Sequence, residues 1–285
     1  MTIKLIAVDL DGTLLDSESK IPEENARAIN EAAARGIEIV IVTGRRYHSA
    51  RVIVDALPCD LALIVNNGSL IKSKEGRTHQ RFLLPTEIAK RVIDATPEFR
   101  SSTSVVFDRP RENQVILETV DWDDPFRGGY FRRSREFIAQ VSPLTDCLKP
   151  TNGAPAEDPI QVMFVGPCDT IRDVRRKLER LDFADRYMLA FTEYLTRDLS
   201  VLDVLRHGVS KGVALAAWAR HRGILREEVM AIGDNWNDRD MLEFAGLPIV
   251  MGNSVDVLKS RGWNVTLSND QAGLAAAIRR YVLTP

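Results

Sequence analysis

The sequence predicts an α/β protein whose main part is a doubly wound, mainly parallel sheet, interrupted by an inserted α+β module. Both ends of the chain alternate short apolar runs, typical of buried parallel strands, with segments of helical length. Such alternation gives a parallel sheet joined by right-handed helical crossovers. In the middle of the chain the short strands occur in pairs, which favours an antiparallel sheet.

The N-terminal segment predicts three parallel strands, two helices and a hairpin. Pro22 opens the first helix, where a missing N–H costs nothing, and Gly36 follows its end. In the second helix Val52 and Ala56 fall on one apolar face. The predicted elements are strands at 3–8, 37–42 and 61–65, helices at 22–36 and 47–56, and a hairpin at 69–84.

The middle segment predicts paired strands with two helices. Residues 148–159 are rich in Pro, Gly and Asn, which indicates a loop. The predicted elements are strands at 104–108, 113–119, 160–165, 187–192 and 199–205 and helices at 133–141 and 170–181.

After residue 208 the alternation of strands and helices returns. The predicted elements are helices at 210–221, 238–245, 255–259 and 272–282 and strands at 229–232, 247–251 and 264–267. The simplest assembly is a Rossmann-like core made of residues 1–83 and 208–285, with residues 84–207 as the insertion.

The composition sets the broad class of the protein. A chain of 285 residues has room for about two domains, and 45% hydrophobic with 27% charged residues is an ordinary globular balance. A net charge of −2 gives no attraction to nucleic acid or to membranes, and no apolar run approaches the ~20 residues of a membrane span. The start of the chain lacks a signal-peptide pattern, and three widely spaced cysteines suit a reduced compartment. We therefore expect a cytoplasmic monomer or small homo-oligomer.

Asp9 and Asp11 stand at alternate positions where the first strand gives way to Gly12 and Thr13. Ligands of α/β proteins bind at the carboxyl ends of the strands, and two neighbouring like charges need a cation or a proton. The pair therefore indicates a metal site and a carboxylate nucleophile. The alternative is a plain turn, because Asp and Gly favour turns. A calcium loop is excluded, because its twelfth position is Lys20 rather than Glu.

Thr43 follows the second strand and precedes Gly44 and Arg45. A hydroxyl and free backbone N–H groups at a strand-to-helix turn suit a phosphate oxygen. The alternative is that Thr43 only caps the next helix.

Acidic and amide side chains also follow the strand at 229–232. Their density at Asp234, Asn237 and Asp238 suits a hard cation such as Mg²⁺. Because Asn237 or Asp238 can instead cap the following helix, Asp234 is the strongest candidate ligand.

Lys211 lies in the first turn of a predicted helix, after the good N-cap Ser210 and before Gly212. A cation there opposes the helix dipole and Gly212 adds to the cost, so this turn is unfavourable unless it binds an anion. Lys211 is expected to pair with a carboxylate or a phosphoryl oxygen; the alternative is a solvated lysine.

Taken in order, these motifs resemble the haloacid dehalogenase (HAD) superfamily of aspartate-nucleophile phosphotransferases, and its Cof-like, subclass IIB branch most closely. The resemblance covers Ile3 to about Ala277 and is most specific at the first and last motifs. One departure is Ala272, where this branch often has Asp before Gly. The strings that carry the resemblance are DLDGTLLD, IVTGRR, VNNGS, GVSKG, GDNWNDRDML and PIVMGNS.

The resemblance implies a role for each catalytic residue. Asp9 is similar to the nucleophile that forms an aspartyl-phosphate, and Asp11 to the general acid and base. Thr43 resembles a phosphate-binding donor, and Lys211 the residue that steadies the nucleophile and the phosphoryl group. The implied Mg²⁺ ligands are Asp9, Asp11 through its backbone carbonyl, and Asp234.

The resemblance also implies secondary contacts and a cap domain. The insertion at 84–207 occupies the place of the cap that selects the substrate in this branch. Asn237 and Asp238 resemble supporting residues of the last motif. The residues expected to contact substrate are Thr43, Gly44, Arg45, Asn67, Gly68, Lys211 and Asn237.

We therefore expect a Mg²⁺-dependent phosphatase of small phosphorylated metabolites, with sugar phosphates as the leading class. One alternative is a hexose-phosphate phosphomutase, which would depend on a bisphosphorylated activator. Another is a binding protein that senses a phosphorylated ligand without turnover, but such a protein has no need of Asp11. Dehalogenation is disfavoured, because that chemistry needs neither Mg²⁺ nor the second aspartate.

Overall fold

The computed structural model describes residues 2–151, 153 and 155–284 of the chain. They form two compact units. The first unit combines Met1–Arg81 with Val209–Pro285, and the second is Phe82–Gly208. No helix in these described ranges has the length and apolar character that crossing a membrane requires.

The strands form one sheet in each unit. The first unit contains β1 (Leu5–Val8), β2 (Glu38–Val42), β3 (Ala62–Val65), β4 (Leu70–Ser73) and β5 (Thr78–Arg81). The second contains β6 (Thr103–Val106), β7 (Val115–Leu117), β8 (Ile138–Gln140), β9 (Gln161–Gly166), β10 (Tyr187–Tyr194) and β11 (Leu199–Arg206). The first unit is completed by β12 (Val229–Gly233), β13 (Leu247–Val250) and β14 (Asn264–Val265).

Nine α-helices connect the strands within the described residues. They are α1 (Glu23–Ala34), α2 (Tyr47–Val54), α3 (Thr86–Ala95), α4 (Arg127–Phe131), α5 (Cys168–Leu178), α6 (Lys211–His221), α7 (Arg239–Phe244), α8 (Asp256–Lys259) and α9 (Gly273–Ile278).

The sheet of the first unit has eight strands in the order β14-β13-β12-β1-β2-β3-β4-β5. Pairing is parallel from β14 to β3, and β4 and β5 complete it as an antiparallel hairpin. Every side chain of β1 is buried, as expected for a central strand covered on both faces. The predicted doubly wound parallel sheet and the hairpin are confirmed.

The second unit has a six-stranded sheet in the order β10-β11-β9-β6-β7-β8. Its pairs are antiparallel except β7 with β8. Helices α3 and α5 bury their apolar stripes on one face of this sheet, which gives the α+β arrangement expected of the insertion. Its hydrophobic core includes Ile88, Val92, Val105, Phe164, Ile171, Val174 and Leu202.

The helix predicted at 133–141 is wrong. A 3-10 helix, Arg132–Phe137, leads into β8, which pairs with β7 so that Ile116 stands opposite Ala139. Pairing with a neighbouring strand outweighs the local helical pattern here. Positions 152 and 154 of the predicted loop at 148–159 lie outside the described residues.

The second helix of the chain also turns a different face to the core than predicted. Helix α2 buries Tyr47, Ala50 and Val54, whereas Val52 is 77% exposed. A single exposed valine is compatible with a stable surface helix, so only the orientation was wrong.

Candidate active site

Three neighbouring strands deliver the predicted site residues to one edge of the sheet. Strand β1 lies between β12 and β2, with Val8 in register with Ile232 on one side and Ile41 on the other. The next residues along these strands are therefore adjacent at the carboxyl edge. This edge carries Asp9 after β1, Thr43 after β2 and Asp234 after β12.

Lys211 joins two carboxylates at this edge. Its ammonium group donates hydrogen bonds of 2.6 Å to Asp9 Oδ1 and 2.6 Å to Asp238 Oδ1. The Lys211 side chain is only 2% exposed, and the two aspartates are also buried. Ser210 caps the helix by accepting a hydrogen bond from the Val213 N–H. The expected pairing of Lys211 with a carboxylate is thus present, and the solvated alternative is excluded.

Gly212 has a packing role beside this lysine. Its N–H donates to Asp240 Oδ2, and a Cβ at this position would overlap the backbone of Asp240. Helices α6 and α7 can approach closely only because residue 212 lacks a side chain. The sequence analysis attributed this glycine to an anion site. The close contact between the two helices is enough to explain it.

Three carboxylates, those of Asp9, Asp234 and Asp238, place one oxygen each within 4.8 Å of one another. Burial, followed by the charge of Asp238, raises the pKa of Asp9 to about 7, although Lys211 opposes the rise. Burial and the charges of Asp238 and Asp9 also raise the pKa of Asp234 well above its ordinary value. Burial lowers the pKa of Lys211, but its two carboxylate partners outweigh this and raise it overall. One lysine therefore does not neutralise the cluster.

This donor set fits Mg²⁺. Hard cations take oxygen ligands, and an excess of buried negative charge favours a cation at this point. Both carboxylate oxygens of Asp238 already accept hydrogen bonds. Its Oδ2 accepts from the N–H groups of Asp234 and Asn235, and its Oδ1 accepts from Lys211. These bonds match the supporting role expected of Asp238, and they leave Asp9 and Asp234 as the stronger candidates for direct ligands.

Asp11 lies outside the carboxylate cluster and pairs with Arg45. The guanidinium donates from Nε to Asp11 Oδ2 at 2.7 Å and from Nη2 to Asp11 Oδ1 at 2.5 Å. Both side chains are partly exposed. Arg45, expected to contact substrate, thus holds the carboxylate of the expected acid and base. A metal role for Asp11 involves only its backbone carbonyl and stays a prediction.

Thr43 is 1% exposed, and its Oγ1 accepts a hydrogen bond from the Arg45 N–H. Accepting through a lone pair leaves the hydroxyl proton available to a ligand. Helix α2 starts at Tyr47 with Arg46 as its N-cap residue, so Thr43 does not cap it. The structural alternative for Thr43 is therefore wrong.

The remaining predicted residues come together beside Thr43. Asn67 donates its backbone N–H to the Thr43 carbonyl, and its Oδ1 accepts from Asn237 Nδ2 at 3.3 Å. Gly44 lies against the Asn67 side chain, and Gly68 lies against the Ser210 carbonyl. The predicted site residues therefore lie in the segments that follow β1, β2, β3 and β12 and at the start of α6.

Two hydrogen bonds at this edge were not predicted from the sequence. Thr13 Oγ1 donates to Asp234 Oδ1 at 3.2 Å, and Asn253 Nδ2 donates to the Gly12 carbonyl at 2.9 Å. Gly12 has a φ of +82°, and a Cβ there would overlap the Asp234 carboxylate. The two donors, Thr13 and Asn253, lie within motifs that were identified in the sequence, but the spacing of these motifs did not indicate which groups they would bind.

The raised pKa of Asp9 predicts how the stability of the metal-free protein depends on pH. Folded Asp9 has a pKa of about 7 against 3.8 for the ordinary group, so between these values the folded state binds more protons. Stability must then fall as pH rises from about 4 through 7. With EDTA present, we expect the unfolding free energy in urea to drop by about 2 kcal/mol between pH 5 and pH 8.

The matched control for this titration is Asp9→Asn, which cannot ionise at this position and should make the decline smaller; the part that remains belongs to Asp234, whose pKa is also raised. Added Mg²⁺ should also flatten the decline in the unsubstituted protein, because a cation offsets the charge of ionised Asp9. A wild-type curve that is already flat in EDTA would contradict the proposed protonation of Asp9.

Comparison with known proteins agrees with this geometry. Residues 6–278 match the family model of haloacid dehalogenase-like hydrolases. The chain is 32% identical over 281 residues to the 5-amino-6-(5-phospho-D-ribitylamino)uracil phosphatase YcsE of Bacillus subtilis (strain 168), covering 99% of this chain and 96% of that protein. It is 30% identical over 257 residues to the HMP-PP phosphatase of Serratia proteamaculans (strain 568), covering 90% of this chain and 86% of that protein.

A solved structure shows the same fold throughout. The structure of a haloacid dehalogenase-like hydrolase from B. subtilis aligns with this chain with a TM-score of 0.80 at 25% identity. The alignment covers 98% of this chain and 100% of the B. subtilis chain. The chain therefore belongs to the haloacid dehalogenase-like hydrolases and is a phosphatase of phosphorylated metabolites.

Proposed function

We propose that this phosphatase is Mg²⁺-dependent and hydrolyses small phosphorylated metabolites through an aspartyl-phosphate formed on Asp9. The observation that carries the proposal is the buried Asp9 carboxylate, held by Lys211 at 2.6 Å within a cluster of three aspartates. A nucleophile in this setting is fixed in place and kept free of water, which favours attack on a bound phosphoryl group.

The reaction would proceed in two displacements. A carboxylate oxygen of Asp9 attacks phosphorus, the bond to the ester oxygen breaks, and Asp11 gives that oxygen a proton. Asp11, now ionised, then takes a proton from water, whose oxygen attacks the phosphorus and releases Asp9 with inorganic phosphate. In the structure Arg45 donates to both oxygens of Asp11. This ion pair favours the ionised carboxylate, so it must open before Asp11 can carry the proton that the leaving oxygen receives.

Phosphoryl transfer needs charge neutralisation as well as correct placement of the reacting groups. The Lys211 ammonium offsets the repulsion between the anionic nucleophile and the anionic ester, and the Thr43 hydroxyl donates to a phosphoryl oxygen. Asp9, Asp234 and the backbone carbonyl of Asp11 would hold Mg²⁺. When bound, this ion supplies further positive charge to the phosphoryl oxygens.

We propose that the second unit, Phe82–Gly208, acts as a cap and selects the substrate. Sugar phosphates remain the leading class. The substrates named for the two relatives, a phosphorylated ribitylaminouracil and HMP-PP, belong in the first panel to be screened. We further propose a cytoplasmic monomer or small homo-oligomer that binds neither nucleic acid nor membranes.

Removal of metal is expected to abolish turnover. Purified protein with Mg²⁺ should hydrolyse p-nitrophenyl phosphate, and EDTA should reduce the rate by about 10³-fold or more, because several kcal/mol of charge stabilisation are lost. Excess Mg²⁺ should restore the rate, whereas excess Ca²⁺ should not, since it prefers more ligands at longer distances. Undiminished hydrolysis in EDTA would contradict the metal assignment.

A further inference from the structure

In the loop that follows Asp11, residues 12–17, the backbone amides and the backbone carbonyls form hydrogen bonds with different parts of the chain. The first amides of the loop fold back onto the end of β1: the Leu14 N–H donates to the Asp9 carbonyl and the Leu15 N–H to the Leu10 carbonyl. The carbonyls of Gly12, Leu14 and Leu15 take their donors from side chains elsewhere in the chain.

Three asparagine side chains supply those donors. Asn253 Nδ2 donates to the Gly12 carbonyl at 2.9 Å. Asn25 Nδ2 donates to the Leu14 carbonyl at 3.1 Å, and Asn269 Nδ2 donates to the Leu15 carbonyl at 3.0 Å. We call Asn25, Asn253 and Asn269 the asparagine brace.

The side-chain oxygens of two members of the asparagine brace accept hydrogen bonds from backbone amides. Asn253 Oδ1 accepts from the Asn269 N–H at 2.9 Å, and Asn25 Oδ1 accepts from the Ala275 N–H at 3.0 Å. An asparagine can do this because its amide carries a donor and an acceptor in one plane. Two members therefore tie the loop to the C-terminal segment, with both side-chain ends engaged.

Asn253 differs from the other two members in its burial and its position. Asn25 and Asn269 are buried, and removing a buried amide would lower stability directly. Asn253 is exposed, so its hydrogen bond adds little to folding. It acts on the carbonyl of Gly12, whose backbone lies against Asp234 and directly follows Asp11.

We propose that Asn253 is a positioning residue of the phosphatase reaction, which fixes the Gly12 peptide and thereby places Asp11 for proton transfer to the leaving group. This inference rests on the proposed function. Asn253 touches neither substrate nor the reacting atoms in this role, and its effect passes through the backbone of residues 11 and 12.

A pair of matched substrates tests this role. Phenyl phosphate and p-nitrophenyl phosphate have similar shapes, but phenolate needs a proton to leave and p-nitrophenolate leaves without one. If Asn253 places the acid, Asn253→Ala should lower kcat/KM for phenyl phosphate about tenfold more than for p-nitrophenyl phosphate. Asn253→Asp should do the same, since it keeps an acceptor for Asn269 but cannot donate to the Gly12 carbonyl.

Asn264→Ala is the control, because Asn264 is another exposed asparagine of this unit whose Oδ1 accepts from the Tyr281 hydroxyl, away from the loop. It should leave the ratio of the two substrates unchanged. Equal losses on both substrates, or no loss, in the Asn253 variants would overturn the proposal, as would failure of both variants to fold. Wild-type protein that hydrolyses neither substrate would instead refute the proposed function.

Discussion

Asp9→Asn is expected to lower phosphatase turnover by about 10⁴-fold or more while the protein stays folded. The amide that replaces the carboxylate is a poor nucleophile, and it cannot form an acyl-phosphate that water then hydrolyses. The substitution keeps the size of the side chain and an oxygen that can accept the 2.6 Å hydrogen bond from Lys211. The loss should therefore fall on kcat, with KM changed little.

The measurement is steady-state hydrolysis of p-nitrophenyl phosphate at saturating Mg²⁺. Asp9→Ala serves as a second variant, because slow deamidation of the introduced asparagine would regenerate aspartate and mimic residual activity. Asp16→Asn is the matched control, since Asp16 lies in the same motif but only accepts local hydrogen bonds from the Glu18 and Lys20 amides. Turnover within tenfold of wild type in Asp9→Ala would assign the nucleophile to another residue.

The sequence predicted most of this site because parallel strands impose a common edge. Once β1, β2 and β12 are recognised as neighbouring parallel strands, Asp9, Thr43 and Asp234 must lie close together. The position of Lys211 was also predictable, because a cation in a first helical turn is unfavourable without an anionic partner. These inferences depend on strand ends and helix starts, which local patterns indicate well.

Contacts that depend on side-chain direction were not predictable in the same way. The ion pair between Arg45 and Asp11 was not predicted; it forms because the two turns that follow β1 and β2 are adjacent. Asn253 is distant in sequence from Gly12, and only the folded C-terminal segment brings them together. The helix expected at 133–141 failed for a similar reason, since β7 offers a partner strand that no local pattern encodes.

Lys211→Met is expected to lower both stability and turnover, because it removes the ammonium that joins two buried carboxylates. Removing one partner of a buried ion pair leaves an uncompensated charge, which lowers the free energy of unfolding by about 3–5 kcal/mol. Turnover should fall by about 10²–10³-fold, since one cation among the groups that neutralise the phosphoryl transfer is lost. Lys4→Met, which breaks a surface ion pair with Glu228, should leave stability nearly unchanged.

The cause of the instability can be separated from lost packing by combining substitutions. If repulsion between Asp9 and Asp238 is responsible, the double variant Lys211→Met with Asp9→Asn should be more stable than Lys211→Met alone at pH 8 in EDTA. The gain should shrink toward pH 5, because Asp9, whose pKa is already raised to about 7, takes up a proton there in the single variant. Urea unfolding at both pH values measures this. A double variant that is no more stable than the single one at pH 8 would show that repulsion between Asp9 and Asp238 does not cause the instability.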